Sequence, residues 1–207
     1  LARPGGNVTG LSSISPELSG KRLELLREVV PGLSRVALLW NPDVRGAVFD
    51  YKETEGAARS LRLQLQSVEL SRAEDLDRAF SAVTNQRAQV LIVQTPNPVL
   101  FANRGQIVSF AQRNRLPSMY GQKEFADVGG LISYGANIAE MWRRAATYVD
   151  KILKGAKPGE LPVEHSKRDD RHVLRAGWRE DVARWVIDPD HFRRPAAQPH
   201  RSSERVD

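Results

Sequence analysis

The sequence predicts an α/β protein built as a parallel sheet with helices on both faces. Three observations carry this. Short apolar runs alternate with amphipathic helical stretches along residues 16–120. The runs at 36–39 and 90–93 are apolar at every position rather than every second one, as in strands covered on both faces. The links between runs are short, as in layered α/β units.

The chain opens Gly-rich, "LARPGGNVTGLSSI", with a turn at Pro4-Gly5-Gly6 and a short extended piece; Asn7-Val8-Thr9 matches a glycosylation sequon, a match common by chance. A helix follows, with Ser15 as N-cap and Pro16 at its first position. Leu23, Leu26 and Val30 form its apolar stripe, thickened by Leu25 and Val29, and Pro31-Gly32 ends it. Strand 35–40 comes next, then helix 46–61 with Val48, Tyr51, Ala58 and Leu61 on one side. "LRLQLQSVEL" alternates at Leu61, Leu63 and Leu65 and slips phase to Val68 and Leu70, so a half-exposed, bulged strand is expected. Ser71 and Glu74 read as a capping box before a helix that turns Leu76, Ala79, Phe80 and Val83 inward. Strand 90–94, helix 99–114 and strand 116–120 continue the alternation. The rhythm then changes: a loop over 121–130, a short strand "LISYG", and a long helix capped by Asn137 and ended by Gly155. Ile138, Met141, Ala145, Tyr148 and Ile152 recur along it at helical spacing, and "LPVE" at 161–164 reads as a last strand.

Composition narrows the function. The chain has no cysteine, which excludes disulfides, thiolate metal sites and a Cys nucleophile. No apolar run approaches the ~20 residues that a helix needs to span a bilayer. The net charge is +6, but basic and acidic residues are interleaved, so the charges read as solvated helix faces and no nucleic-acid partner is expected. No G-x-G-x-x-G, P-loop or G-x-S-x-G is present, and all 4 histidines lie beyond residue 164, away from metal-ligand spacing. No catalytic residue, metal site or cofactor is therefore expected. Trp40 and Trp142 read as core or lobe-edge aromatics, with a pocket wall as the alternative. The chain begins with Leu1, which suggests a processed start or a piece of something longer.

In an open parallel sheet, ligands bind outside the carboxyl ends of the strands. Those ends are Asn41 to Arg45, Thr95 to Pro98 and Tyr120 to Glu124, each ahead of a helix whose free N–H groups point the same way. Taken singly, such residues are ordinary loop and cap residues. Together they suit a small anion or an amino-acid-like molecule.

Three stretches carry a resemblance: "ARPGGNVTGLSS", "GKRLELLREVVPGLSRVALLWNP" and "LPSMYGQKEFADVGGLISYGANIAEMWRRAATYVDKILKGAKPGELPVE". Over residues 1–164 the chain resembles the ABC-transporter substrate-binding proteins of tryptophan and phenylalanine type, which have the type I periplasmic-binding-protein fold. The resemblance implies a nearly complete second lobe over 16–125, a crossover and first-lobe remnant at 1–15, and a return to the first lobe over 126–164. It also implies a solute held between lobes without catalysis, ABC permease membrane subunits as partners, and a periplasmic or lipid-anchored extracellular location for the full-length parent. A transcription regulator's effector domain shares the fold. Carried over residue by residue, the cleft candidates are Asn41 and Pro42, Thr95 and Asn97, Tyr120 and Glu124, and Tyr134. The loop at 95–98 lacks the acidic residue common in the family, which weakens an amino-acid ligand. Residues 165–207 depart from the family as an Arg-, His- and Pro-rich, poorly ordered tail, as a frameshift would produce.

Overall fold

A computed structural model describes residues 4–12, 17–95, 97–165 and 173–174. In chain order the elements begin with strand β1 (Leu11–Ser12), helix α1 (Glu17–Val29), β2 (Arg35–Trp40), α2 (Arg45–Ser60) and β3 (Gln64–Glu69). There follow α3 (Leu76–Asn85), β4 (Val90–Val93), α4 (Pro98–Ala102), α5 (Arg104–Arg113), β5 (Ser118–Tyr120) and α6 (Glu124–Asp127). The described chain closes with β6 (Ile132–Ser133), α7 (Ile138–Leu153), β7 (Glu164–His165) and β8 (Val173–Leu174).

The main sheet runs β3-β2-β4-β5-β6-β8, parallel throughout except for β8, which pairs antiparallel to β6. Pleating sends alternate residues of each strand to opposite faces. On one face Val36, Leu38, Val90, Ile92, Met119 and Ile132 pack with Leu23 and Leu26 of α1 and Ala47 and Ala58 of α2. On the other, Leu39, Val68, Leu91 and Val93 pack with α3 and with Leu100, Ile107 and Phe110. Both faces are covered, which is why β2 and β4 are apolar throughout.

Helix ends show how the sheet is fed. α2, α3 and α5 end on Arg62, Arg87 and Arg115 with φ of 57°, 52° and 49°, left-handed without glycine. In each, the next residue's N–H reaches back to the helix, from Leu63 to Ala58, Ala88 to Val83 and Leu116 to Ala111. That residue is buried every time. These are Schellman caps in which the buried apolar residue offsets the backbone penalty.

Several sequence expectations are corrected. Ser71 and Glu74 form no capping box: a 3-10 turn over Ala73–Asp75 precedes α3, and no side chain caps it. β3 carries no bulge, since its register with β2 is unbroken from Arg35↔Gln64 to Trp40↔Glu69. The phase slip arises because Leu63 and Leu65 face the α1–α2 side while Val68 and Leu70 face α3. The single helix expected over 99–114 breaks at Asn103, whose side chain turns back to donate to the Val99 carbonyl. The loop over 121–130 contains α6. On α2 the expected Ala58 is buried and Val48, Tyr51 and Leu61 pack partly buried against the core, but Ala47, Asp50 and Thr54 are buried beside them. The cap at Ser15-Pro16 and most of the expected tail lie outside the described residues. Within the tail, 173–174 supply β8.

A second, smaller unit stands beside the main sheet. β1 pairs parallel with β7, which keeps only Glu164 of the strand expected over 161–164 and adds His165, and α7 packs against β1. Thr9 Oγ1 donates to the Leu161 carbonyl, and the Tyr148 hydroxyl to the Pro162 carbonyl at 2.7 Å. Arg144 pairs with Glu164; that guanidinium, then the Tyr148 hydroxyl, holds the Glu164 carboxyl below the usual carboxylate range. Residues Tyr134 to Asn137 form the crossing from β6 of the main sheet to α7 of the small unit.

Candidate functional site

The strand order reverses direction between β2 and β4, because β3 lies to one side of β2 and the later strands to the other. Such a switch point opens a crevice at the carboxyl edge. The edge is formed by Asn41 after β2, Gln94 and Thr95 after β4, Gly121 after β5 and Tyr134 after β6.

The sequence candidates divide along this edge. Asn41 is buried; its Oδ1 accepts from the Asp43 N–H at 2.8 Å and lies 3.5 Å from Ser71 Oγ, so it shapes its own loop. Pro42 is half-buried beside it. Asn97 caps α4, its Oδ1 accepting from the Leu100 N–H at 3.1 Å. Its Nδ2 and the Thr95 Oγ1 are buried without a hydrogen-bond partner among the described residues. Tyr120 lies inside the core: its ring stacks on Phe125 with centroids 4.8 Å apart, and its hydroxyl donates to Ser118 Oγ. Burial pushes that phenol's pKa up, against the Ser118 bond. Tyr134 is buried on the opposite face, and its carbonyl accepts from Arg22 Nε at 2.9 Å. Trp40 also belongs to the core, stacked on Tyr51, with its indole N–H donated to Ser67 Oγ.

The concave part of the edge lies over β5 and β6. Gly121, Gln122, Glu124, Ser133, Gly135 and Asn137 line a depression between α6 and the start of α7. Of the sequence candidates, Glu124 reaches it. Asn137 Oδ1 caps α7 by accepting from the Glu140 N–H, and Gln122 Oε1 is buried without a partner among the described residues. The enclosed space is about 30 Å³, room for a water or two and not for a solute. This edge is therefore an open, shallow surface rather than a closed pocket.

Two glycines let the backbone pack closely at this edge. A Cβ on Gly135 would stand 1.9 Å from the Gly121 carbonyl oxygen, and one on Gly121 would stand 2.1 Å from Thr95 Oγ1. The sequence reading placed Gly121 in the strand end Tyr120 to Glu124 but gave it no role and passed over Gly135, although a glycine at a strand end can mark close backbone approach. It also passed over Arg22, which shares the buried face of α1 with Leu18 and Leu26 at four-residue spacing. Among the described residues no cluster of His, Cys, Asp or Glu is placed to hold a metal ion, and no helix is long and apolar enough to cross a membrane.

The family model for ABC transporter substrate binding proteins matches residues 1–176. The chain belongs to that family. The match reaches past residue 164 to take in β8. Among solved structures, a conserved domain protein from Vibrio cholerae O1 biovar El Tor is similar at 24% identity and TM-score 0.76, over 87% of this chain and 59% of that one. The ABC domain in complex with L-Trp from Streptococcus pneumonia is similar at 21% identity and TM-score 0.75, over 90% of this chain and 65% of that one. A LacI family transcriptional regulator from Bifidobacterium animalis subsp. lactis is similar at 16% identity and TM-score 0.61, over 80% of this chain and 61% of that one. The fold of this ABC substrate-binding chain is thus the type I periplasmic-binding fold, and the chain spans about three-fifths of the length of these structures. No curated protein matches it.

Proposed function

We propose that this chain forms one wall of the solute site of an ABC import system, binding a small molecule at the carboxyl edge of the main sheet without chemistry. The observation that carries the reading is the depression over Gly121 to Glu124 and Ser133 to Asn137, which lies at the crossing between the two units. Family membership supports it. In this reading residues 16–125 are the body of one lobe, and β1, α7 and β7 belong to the other. Asn41, Pro42, Thr95, Asn97 and Glu124 border the wall, while Tyr120 and Tyr134 support it from within. Permease subunits of the importer are the partners, and the site of action is periplasmic or extracellular.

An amino-acid-like solute has some support from the L-Trp complex of a structural relative. Against it stands the Thr95–Pro98 loop, which carries no acidic residue to meet an ammonium group. A regulator's effector domain is the second reading, favoured by the LacI-type relative. The substrate-binding family match favours import.

Two-dimensional amide NMR tests the wall. L-tryptophan, D-xylulose and allitol are titrated into the chain at millimolar levels. One of them should shift amides at 121–124 and 133–139 and leave β2 core amides unmoved. Shifts confined elsewhere, or none with any probe, would overturn the proposal.

A further inference from the structure

Arg22 sits on the buried face of α1 and is 6% exposed. A buried cation is costly unless it is paired and hydrogen-bonded, so its partners indicate what it does. Asp50 on α2 is its favourable charge neighbour. Its hydrogen bond, however, leaves the helix pair. Nε donates to the carbonyl of Tyr134, 112 residues away, where β6 passes into the crossing. Nη2 lies against the loop after β5, since a Cβ on Gly121 would stand 3.3 Å from it. Gly135, next along the crossing, is packed on the Gly121 carbonyl. Behind the guanidinium, Ser19, Asp50, Thr54 and Gln94 enclose about 10 Å³, space for one water. Ser19 Oγ and Gln94 Oε1, both buried, have no partner among the described residues and face that space.

We infer that Arg22 is a positioning residue of the solute wall: from α1 its guanidinium ties the loop at Gly121 to the crossing at Tyr134. In doing so it sets how the α7 unit meets the main sheet. A residue that served α1–α2 packing alone would bond within those helices. Arg22 faces Asp50 within that pair, but it directs its Nε hydrogen bond to the segment that joins the two units. The functional consequence rests on the solute-wall reading; the test does not, because it uses no solute.

Amide hydrogen exchange of the full chain, read peptide by peptide, tests the inference. Arg22→Met keeps a long apolar stem and removes both charge and donors. Val36→Ala, a truncation on the same face of the sheet, serves as control. Compared at matched global stability, Arg22→Met should speed exchange about tenfold at 120–124 and 134–139, while β2 and β4 exchange as in the control. Arg22→Lys should restore part of the protection, since an ammonium cannot reproduce the planar fork. If Arg22→Met does not fold, Arg22→Lys decides alone, by showing the same local pattern at smaller amplitude. Exchange that rises uniformly, as in Val36→Ala, or an Arg22→Lys protein equal to the parent at both segments, overturns the inference. Either result leaves the NMR test of the wall intact.

Discussion

The main sheet and the small β1–β7–α7 unit are both parallel α/β pieces of one chain, yet they are covered very differently. In the main sheet Val36, Ala37, Val90, Leu91 and Met119 are fully enclosed, with helices on both faces. In the small unit two strands of 2 residues each carry one helix, and on that helix Trp142 is 73% and Leu153 82% exposed. A parallel sheet requires apolar cover on both sides, and a two-stranded one is marginal in water. Stability should therefore reside in the main sheet, and the small unit should report local opening. The proposed solute edge lies where the two meet.

The first way to break this comparison is to truncate the main core. Leu91→Ala removes a fully buried side chain and should cost about 2–5 kcal/mol, read as a lower urea midpoint at unchanged slope. A smaller cost would mean that the sheet collapses around the gap.

The junction comes next. Gly135→Ala places a methyl against the Gly121 carbonyl, a backbone atom that cannot rotate away. The cost should be about 1–3 kcal/mol. Gly121→Ala should be milder, because Thr95 can turn its side chain. Equal costs would contradict the close approach of the two backbones.

Within the small unit, acid should act through Glu164. Its folded-state pKa is depressed by Arg144, so the pair's contribution is complete above the ordinary carboxylate value and is lost as pH falls through the depressed one. The contribution is below about 1 kcal/mol, because both partners are partly solvated. Glu164→Gln should flatten the acid dependence of exchange in β1 and β7 without changing that of β2. An acid slope unchanged by the substitution would remove the pair's role.

The smallest effect belongs to Trp142→Ala. It deletes a larger side chain than Leu91→Ala, yet should change stability by only about 0.5 kcal/mol, since the indole is exposed. A cost comparable with Leu91→Ala would mean that this face is covered in solution.

Element order was legible in the sequence because apolar periodicity records which faces are buried. β2, β4 and α1 follow from it almost residue for residue, whereas on α7 the periodicity fixed the helix but only Tyr148 of its stripe is buried. Polar burial was not legible. Asp50 and Thr54 look like solvated positions in "FDYKETEG", and their burial depends on α1 bringing Arg22 opposite them. The helix ends at Arg62, Arg87 and Arg115 were hidden for a similar reason. Arginine gives no turn signal, and the buried residue after it is what stabilises the left-handed backbone. At the site, Asn41, Thr95 and Asn97 do lie at the carboxyl edge, but Tyr120 follows the strand alternation into the core, where its side chain stacks on Phe125.

By itself the sequence determined that the protein is a layered parallel α/β molecule with no cysteine and no histidine before residue 165, because strand periodicity, helix periodicity and residue type are local properties. Which polar groups meet was decided only by the tertiary structure. Gly121, Gly135, Thr95 and Arg22 come from distant parts of the chain, and their contact depends on the strand order β3-β2-β4-β5-β6, which no local pattern encodes.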